Sequence, residues 1–152
     1  MVYLVEHLTD DYLREMAQHF AALELPYPSP PRPAVSLEVL RRGEALARHG
    51  DSARKVPACT QCHGQNLLGV APAVPGLLGL SREYLYSQLG FWKNGERRAH
   101  PPDCMAKIAS ALTPGDVDAV SAWLASQAVP IGAKPAAAFP GALPMQCGSV
   151  PP

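Results

Sequence analysis

Apolar side chains at Leu4, Val5, Leu8, Leu13, Met16, Ala17, Phe20 and Leu23 recur at helical spacing, which predicts an amphipathic helical segment over residues 1–25. Thr9 is placed to cap it and Pro26 to stop it. Most helical stability in proteins comes from burying the apolar face, so this segment is expected to be packed against something. Tyr27-Pro28-Ser29-Pro30-Pro31-Arg32-Pro33 follows as a stiff, extended linker. A second helix is predicted from the cap at Ser36 to Arg48 or His49, ending at Gly50. Gly43 inside it costs stability relative to alanine, which suits a position where another helix crosses closely.

From Gly64 to Leu80 the chain is rich in Gly, Pro and Leu and reads as a loop without a strand. Ser81 can cap a helix over 82–93, with Tyr84, Leu85, Gln88, Leu89 and Trp92 toward its inner face and Asn94-Gly95 at its end. A polar, proline-containing loop over 96–104 leads to a short turn of helix over 105–111. Thr113-Pro114 opens a last helix reaching about Gln127. Nothing alternates at strand period, so the fold class is all-α. Residues 129–152 lack periodicity and read as an extended Pro/Ala-rich tail on the surface. Residues 1–25 also repeat the last two helical stretches, without a gap, at an offset of 104. Met1 falls on Met105, Leu4 on Ile108, Leu8-Thr9 on Leu112-Thr113, Leu13 on Val117 and Phe20 on Leu124. Two unrelated amphipathic helices can match in this way. The sharper reading makes 1–33 a remnant of an upstream domain of the same kind, 34–128 the main domain and 129–152 the tail.

Composition narrows the partners. With 152 residues there is room for one ordinary domain and extra segments. The formal net charge is zero, so no basic surface for nucleic acid or an anionic membrane follows from the balance. No apolar run approaches membrane-spanning length, and no secretory apolar stretch follows Met1.

The candidate chemistry is concentrated in Cys59-Thr60-Gln61-Cys62-His63. A Cys-x-x-Cys-His run is the covalent attachment site of a c-type haem: two thiols three positions apart reach the two vinyl groups of one porphyrin, and His63 becomes the proximal iron ligand. A redox dithiol would sit in a βαβ context, and a zinc site would need a second Cys or His pair at ligand spacing. Neither companion is present in the sequence. Attachment of this kind implies export, so the expected location is the periplasm and the chain is expected to lack its leader.

Around this motif, Gly43-Glu44-Ala45-Leu46, the run from Gly50 to Cys59, Pro75-Gly76-Leu77-Leu78-Gly79-Leu80, Tyr84-Leu85, Gln88-Leu89 and Met105-Ala106-Lys107-Ile108-Ala109 resemble a class I cytochrome c. The resemblance covers about residues 34–128 and is strongest to single domains of tandem two-haem periplasmic electron-transfer cytochromes. It implies about four helices wrapped round one covalent haem c, with Trp123 crossing Gly43. It also implies that the Pro75 carbonyl accepts a hydrogen bond from His63 and that Met105 is the sixth ligand, with Met145 as runner-up. A thioether opposite histidine raises the potential and fills the axial site, which suits outer-sphere electron transfer rather than enzymatic chemistry.

Tyr84, Trp92, Arg97 and Arg98 are candidate donors to the haem propionates, since a partly buried carboxylate needs paired donors; surface arginines and a core Trp are the plainer alternative. His7, His19, His49 and His100 read as surface residues. Cys104 and Cys147 are the remaining cysteines, and two leftovers in an oxidising compartment are expected to pair. An alternative keeps Cys104, adjacent to the expected ligand, on the iron: a cysteine-ligated c-haem resembles sites in some thiosulfate-oxidising cytochromes, and a cysteine directly before the ligand methionine departs from the usual class I pattern. The expected function is therefore a periplasmic single-electron carrier between a dehydrogenase or quinol oxidase and a terminal acceptor. The alternatives are the haem subunit of a sulfur-compound-oxidising enzyme using Cys104, or an electron-entry subunit of a larger complex that associates through the N-terminal helix.

Overall fold

Helix caps place the frame. In the computed structural model, which describes residues 2–23, 26–30 and 34–150, α1 spans Val2–Val5 and α2 spans Asp10–Ala22. Thr9 caps α2, its hydroxyl accepting the Tyr12 N–H at 3.2 Å. Met1 of the repeat and residues 24–25 and 31–33 of the expected helix end and linker lie outside the described residues. Ser36 caps α3 (Leu37–His49), which stops at Gly50 with φ +72°. Ser81 caps α5 (Arg82–Lys93). Thr113 and Asp116 cap α7 (Pro114–Ala125) reciprocally, Asp116 N–H to Thr113 Oγ1 at 3.1 Å and Thr113 N–H to Asp116 Oδ2 at 3.0 Å. All of these caps are Ser or Thr, the short hydroxyl side chains that satisfy otherwise orphaned N–H groups.

The mostly helical domain is built on α3 packed across α7. A Cβ at Gly43 would lie 2.7 Å from Trp123 Cβ, so the two helices meet backbone to backbone, as the position of that glycine suggested. Leu46, Val56, Leu112 and Val117 form one apolar cluster; Ala47, Leu67, Leu85, Val120, Trp123 and Leu124 form another. A polar tie closes the far end of the crossing. Arg42 Nε donates to Asp116 Oδ1 at 2.9 Å, Arg54 NH1 to Asp116 Oδ2 at 2.5 Å, and Arg54 NH2 to Asp51 at 2.8 Å.

Two expectations need correction. Residues 69–70 (β1, Gly69–Val70) and 74–75 (β2, Val74–Pro75) form a two-residue antiparallel ladder in the stretch read as strandless. So short a ladder carries no alternation to detect, and Gly69 adopts φ +89° to make it. The short helix, α6, begins at Cys104 rather than 105, because Asp103 accepts the Ala106 N–H at 3.0 Å and caps it; α7 ends at Ala125. The N-terminal segment is helical but not packed within the chain: no residue of α2 is buried, and Leu4 and Phe20 are 70% and 66% exposed. The tail, read as extended on the surface, is also tied to the domain by backbone hydrogen bonds. Ala136 bridges Val70, with Ala71 N–H to Ala136 O and Ala136 N–H to Gly69 O both at 2.9 Å. No helix among the described residues is long and apolar enough to cross a membrane.

Candidate haem-binding site

The attachment motif forms α4 (Cys59–His63), a helix of little more than one turn. Residues three and four apart share a helix face, so Cys59, Cys62 and His63 line one cavity. Gln61 accepts the Ala58 N–H at 3.0 Å to close the start of the turn, and Gly64, at φ +82°, ends it. The cavity has about 1000 Å³ of unfilled space, counting its open mouth. Leu46 of α3, Leu85 and Leu89 of α5, Ile108 of α6, and Val120 and Leu124 of α7 wall it. Its chemistry is apolar apart from a few placed polar groups, as expected of a cofactor site.

His63 is 7% exposed and its Nδ1 lies 2.8 Å from the Pro75 carbonyl oxygen. That bond makes Nδ1 the donor and turns Nε2 into the nitrogen that carries the ring's lone pair. Burial lowers the pKa of His63 and the Pro75 carbonyl opposes it; the net effect favours the neutral ring. Burial pushes the Cys59 thiol up to about 11, with Cys62 beside it adding to the shift, and raises the Cys62 thiol as well. Both cysteines are unpaired and half-buried.

Met105, Tyr84, Trp92 and Arg97 line the same cavity as the motif. Trp92 carries the clearest signal: its buried Nε1 has no hydrogen-bond partner, although a buried indole N–H ordinarily finds one. The Arg97 guanidinium lies 4.1 Å from the Trp92 ring centroid and donates to Gln88 Oε1. An acceptor at this mouth would meet an orphaned donor and a cation together. Arg98 is exposed and donates to the Gly95 carbonyl at 3.1 Å, and His100 is exposed; both line an adjoining space rather than the main cavity. Met145 faces that adjoining space, which Met105 also lines.

Cys104 and Cys147 are disulfide-bonded, with Cα atoms 5.1 Å apart. The Cys104 sulfur therefore has no free thiol to offer, and the part of the alternative that used it as an iron ligand is overturned. Sequence reasoning missed Phe139 and Leu143, which reach the adjoining space from the tail. The usable signal was Cys147, whose bond to Cys104 brings the end of the tail to the start of α6.

Haem c fits these residues. Two thiols and a buried, oriented imidazole sit on one wall, apolar side chains make most of the rest, and an unsatisfied buried indole N–H with an arginine over its ring lines the same cavity.

No protein-family model matches the chain. It is 33% identical over 81 residues to cytochrome c-554(548) of Halomonas halodenitrificans (strain ATCC 12084 / NCIMB 8669), covering 51% of this chain and 98% of that protein. The chain belongs to the class I cytochromes c. Within that class it is 37% identical over 97 residues to the thiosulfate dehydrogenase electron acceptor of Thiomonas intermedia (strain K12), covering 64% of this chain and 45% of that relative. The chain thus spans less than half the length of that relative. Among solved structures it resembles the thiosulfate dehydrogenase TsdBA of Marichromatium purpuratum, at TM-score 0.72 and 30% identity, covering 84% of this chain and 26% of that one. It also resembles a cytochrome c4 of Acidithiobacillus ferrooxidans, at TM-score 0.65 and 28% identity, covering 80% and 67%.

Proposed function

We propose that this chain is a periplasmic carrier of single electrons, with one covalently held haem c, acting between a donor dehydrogenase or quinol oxidase and a terminal acceptor. Cys59 and Cys62 would hold the group by thioether links, His63 and Met105 would be its axial ligands, and Tyr84, Trp92 and Arg97 would meet its propionates. Bound haem c supplies a one-electron iron couple. The protein's own share is positional: the Pro75 carbonyl fixes the His63 ring, the leucine walls keep water from the interior, and Trp92 and Arg97 receive negative charge at the mouth. With His63 and Met105 both bound to the iron, no position would remain for substrate, which supports transfer rather than catalysis. The observation that carries the reading is the 2.8 Å contact between buried His63 and Pro75 beside two unpaired thiols. The likeness to a thiosulfate dehydrogenase electron acceptor supports a sulfur-compound-oxidising dehydrogenase as the donor.

The test is spectroscopic. Exported protein should keep one haem through acid-acetone extraction and show the methionine-to-iron charge-transfer band when oxidised. Met105→His should remain low-spin, lose that band and fall in midpoint potential, because imidazole favours ferric iron relative to thioether. An unchanged midpoint would remove Met105 from the ligand set.

A second reading rests on the N-terminal pair. Helix, threonine cap and helix recur at the offset of 104: Thr9 matches Thr113, and Asp10–Ala22 overlies Pro114–Ala125. This supports residues 1–33 as the closing helices and linker of another haem domain, or as an association surface. Deleting 1–33 should leave His63/Met105 ligation intact and change oligomeric state or partner affinity; loss of ligation would mean the boundary near residue 34 is wrong.

A further inference from the structure

The tail is clamped at two places. Near its start, Ala136 pairs with Gly69 and Ala71 beside the haem-motif loop. Near its end, Cys147 is bonded to Cys104, Gly148 N–H donates to the Pro102 carbonyl at 3.0 Å, and His100 N–H donates to Ser149 Oγ at 3.2 Å. A side chain at Gly148 would lie 2.6 Å from the His100 carbonyl oxygen, so the contact is tight. Between the clamps, Phe139, Leu143 and Met145 are half-buried and line a space shared with His63 and Met105. Ile131, in the same tail ahead of the first clamp, is fully exposed.

We propose that residues 136–149 form a disulfide-clamped strap, and that Phe139, Leu143 and Met145 make a wall of the haem pocket that keeps water and small ligands from the Met105 edge. The proposal rests on the reading of this cavity as the haem pocket. The apolar shell around a metal site controls solvent access and local dielectric, so a wall here acts on the iron without touching it. Cys104 directly precedes Met105 on α6, so one covalent bond ties the wall to the helix that carries the ligand. The clamp leaves Cys104 unable to compete with Met105 for iron.

The experiment uses the exported, haem-loaded protein. Cyanide is the probe, and its association with the ferric form is followed by stopped-flow absorbance. The double variant Cys104→Ser with Cys147→Ser should bind cyanide faster, by about tenfold, taking the low end of the effect that loss of an outer-shell partner has on metal affinity or activity. Phe139→Ala with Leu143→Ala keeps the disulfide and should move the rate in the same direction, which covers the case in which the cysteine variant fails to load haem. Parental rates in the variants that load haem would overturn the strap. The charge-transfer band of the parent is read separately: its absence would remove Met105 as ligand, while the cyanide rate ratio still reports on the strap.

Discussion

The pair α1–α2 and the pair α6–α7 share a pattern and differ in fate. Both place an apolar turn before a threonine cap and a helix of similar length after it, 104 residues apart. In α7, Val117, Val120, Trp123 and Leu124 are buried against α3 and α5. Their counterparts in α2 are Leu13, Met16, His19 and Phe20, none of them buried. Periodicity thus specifies which side chains share a face, and burial depends on whether a partner surface exists. Gly43 provides that surface for α7 by letting backbones touch. Among the described residues, nothing does so for α2. Asp116 marks a second difference, because it anchors α7 to Arg42 and Arg54 while its counterpart in α2 is Tyr12.

The sharpest way to break this comparison is to truncate matched side chains. Trp123→Ala should cost about 3–5 kcal/mol in denaturant unfolding, the range for large aromatic truncations in cores. Phe20→Ala should change stability by no more than about 0.5 kcal/mol, as for exposed sites. A large loss at Phe20 would show that α2 is covered in solution, most directly by a second chain or another domain.

The Asp116 tie should come next in size. Burial raises the pKa of this carboxyl, but hydrogen bonds from Arg54, Thr113 and Arg42 outweigh it and hold the group well below the usual carboxylate range. A group whose folded pKa is depressed stabilises above its unfolded pKa and loses that contribution as pH falls toward the folded value. Stability should therefore begin to fall as pH drops through about 4, the ordinary Asp value, and continue to fall below it. Asp116→Asn should cost about 2 kcal/mol at neutral pH, the scale of hydrogen bonds to charged groups, and should flatten that acid limb. An acid limb unaltered by the substitution would assign it to other carboxylates.

The smallest effect should be a gain. Ser121 is fully buried on α7 and its hydroxyl has no hydrogen-bond partner. Ser121→Ala removes an unsatisfied polar atom from the core and should stabilise by about 1 kcal/mol. The matched change in α2, Ala17→Ser, should not stabilise in the same denaturant unfolding measurement. A loss at position 121 would show that the hydroxyl is satisfied in solution.

Much of the site was legible because its residues are local in sequence. Cys59, Cys62 and His63 fall on one turn, Pro75 lies 12 residues on, and each principal helix is opened by a Ser or Thr that the sequence displays. Gly43 was legible too, since a glycine inside a helix calls for a close neighbour. The hairpin at 69–75 was not, because two residues per strand carry no period. Pairing of the two leftover cysteines was legible, but which tail residues line the space beside Met105 was not: the tail's apolar residues have no repeat and lie about 40 residues further along the chain.

The sequence by itself determined the attachment motif, most helix limits to within about two residues and the family resemblance, since these rest on local spacing and on side chains acting on their own backbone; the first helix, read to 25, ends at Ala22. Only the tertiary structure decided which amphipathic face is buried, where Asp116 finds its arginines, that Trp92 keeps an unpaired buried N–H, and which tail residues share a space with Met105. Those outcomes depend on surfaces distant in the chain meeting in space, and burial free energy belongs to the pair of surfaces rather than to either pattern alone.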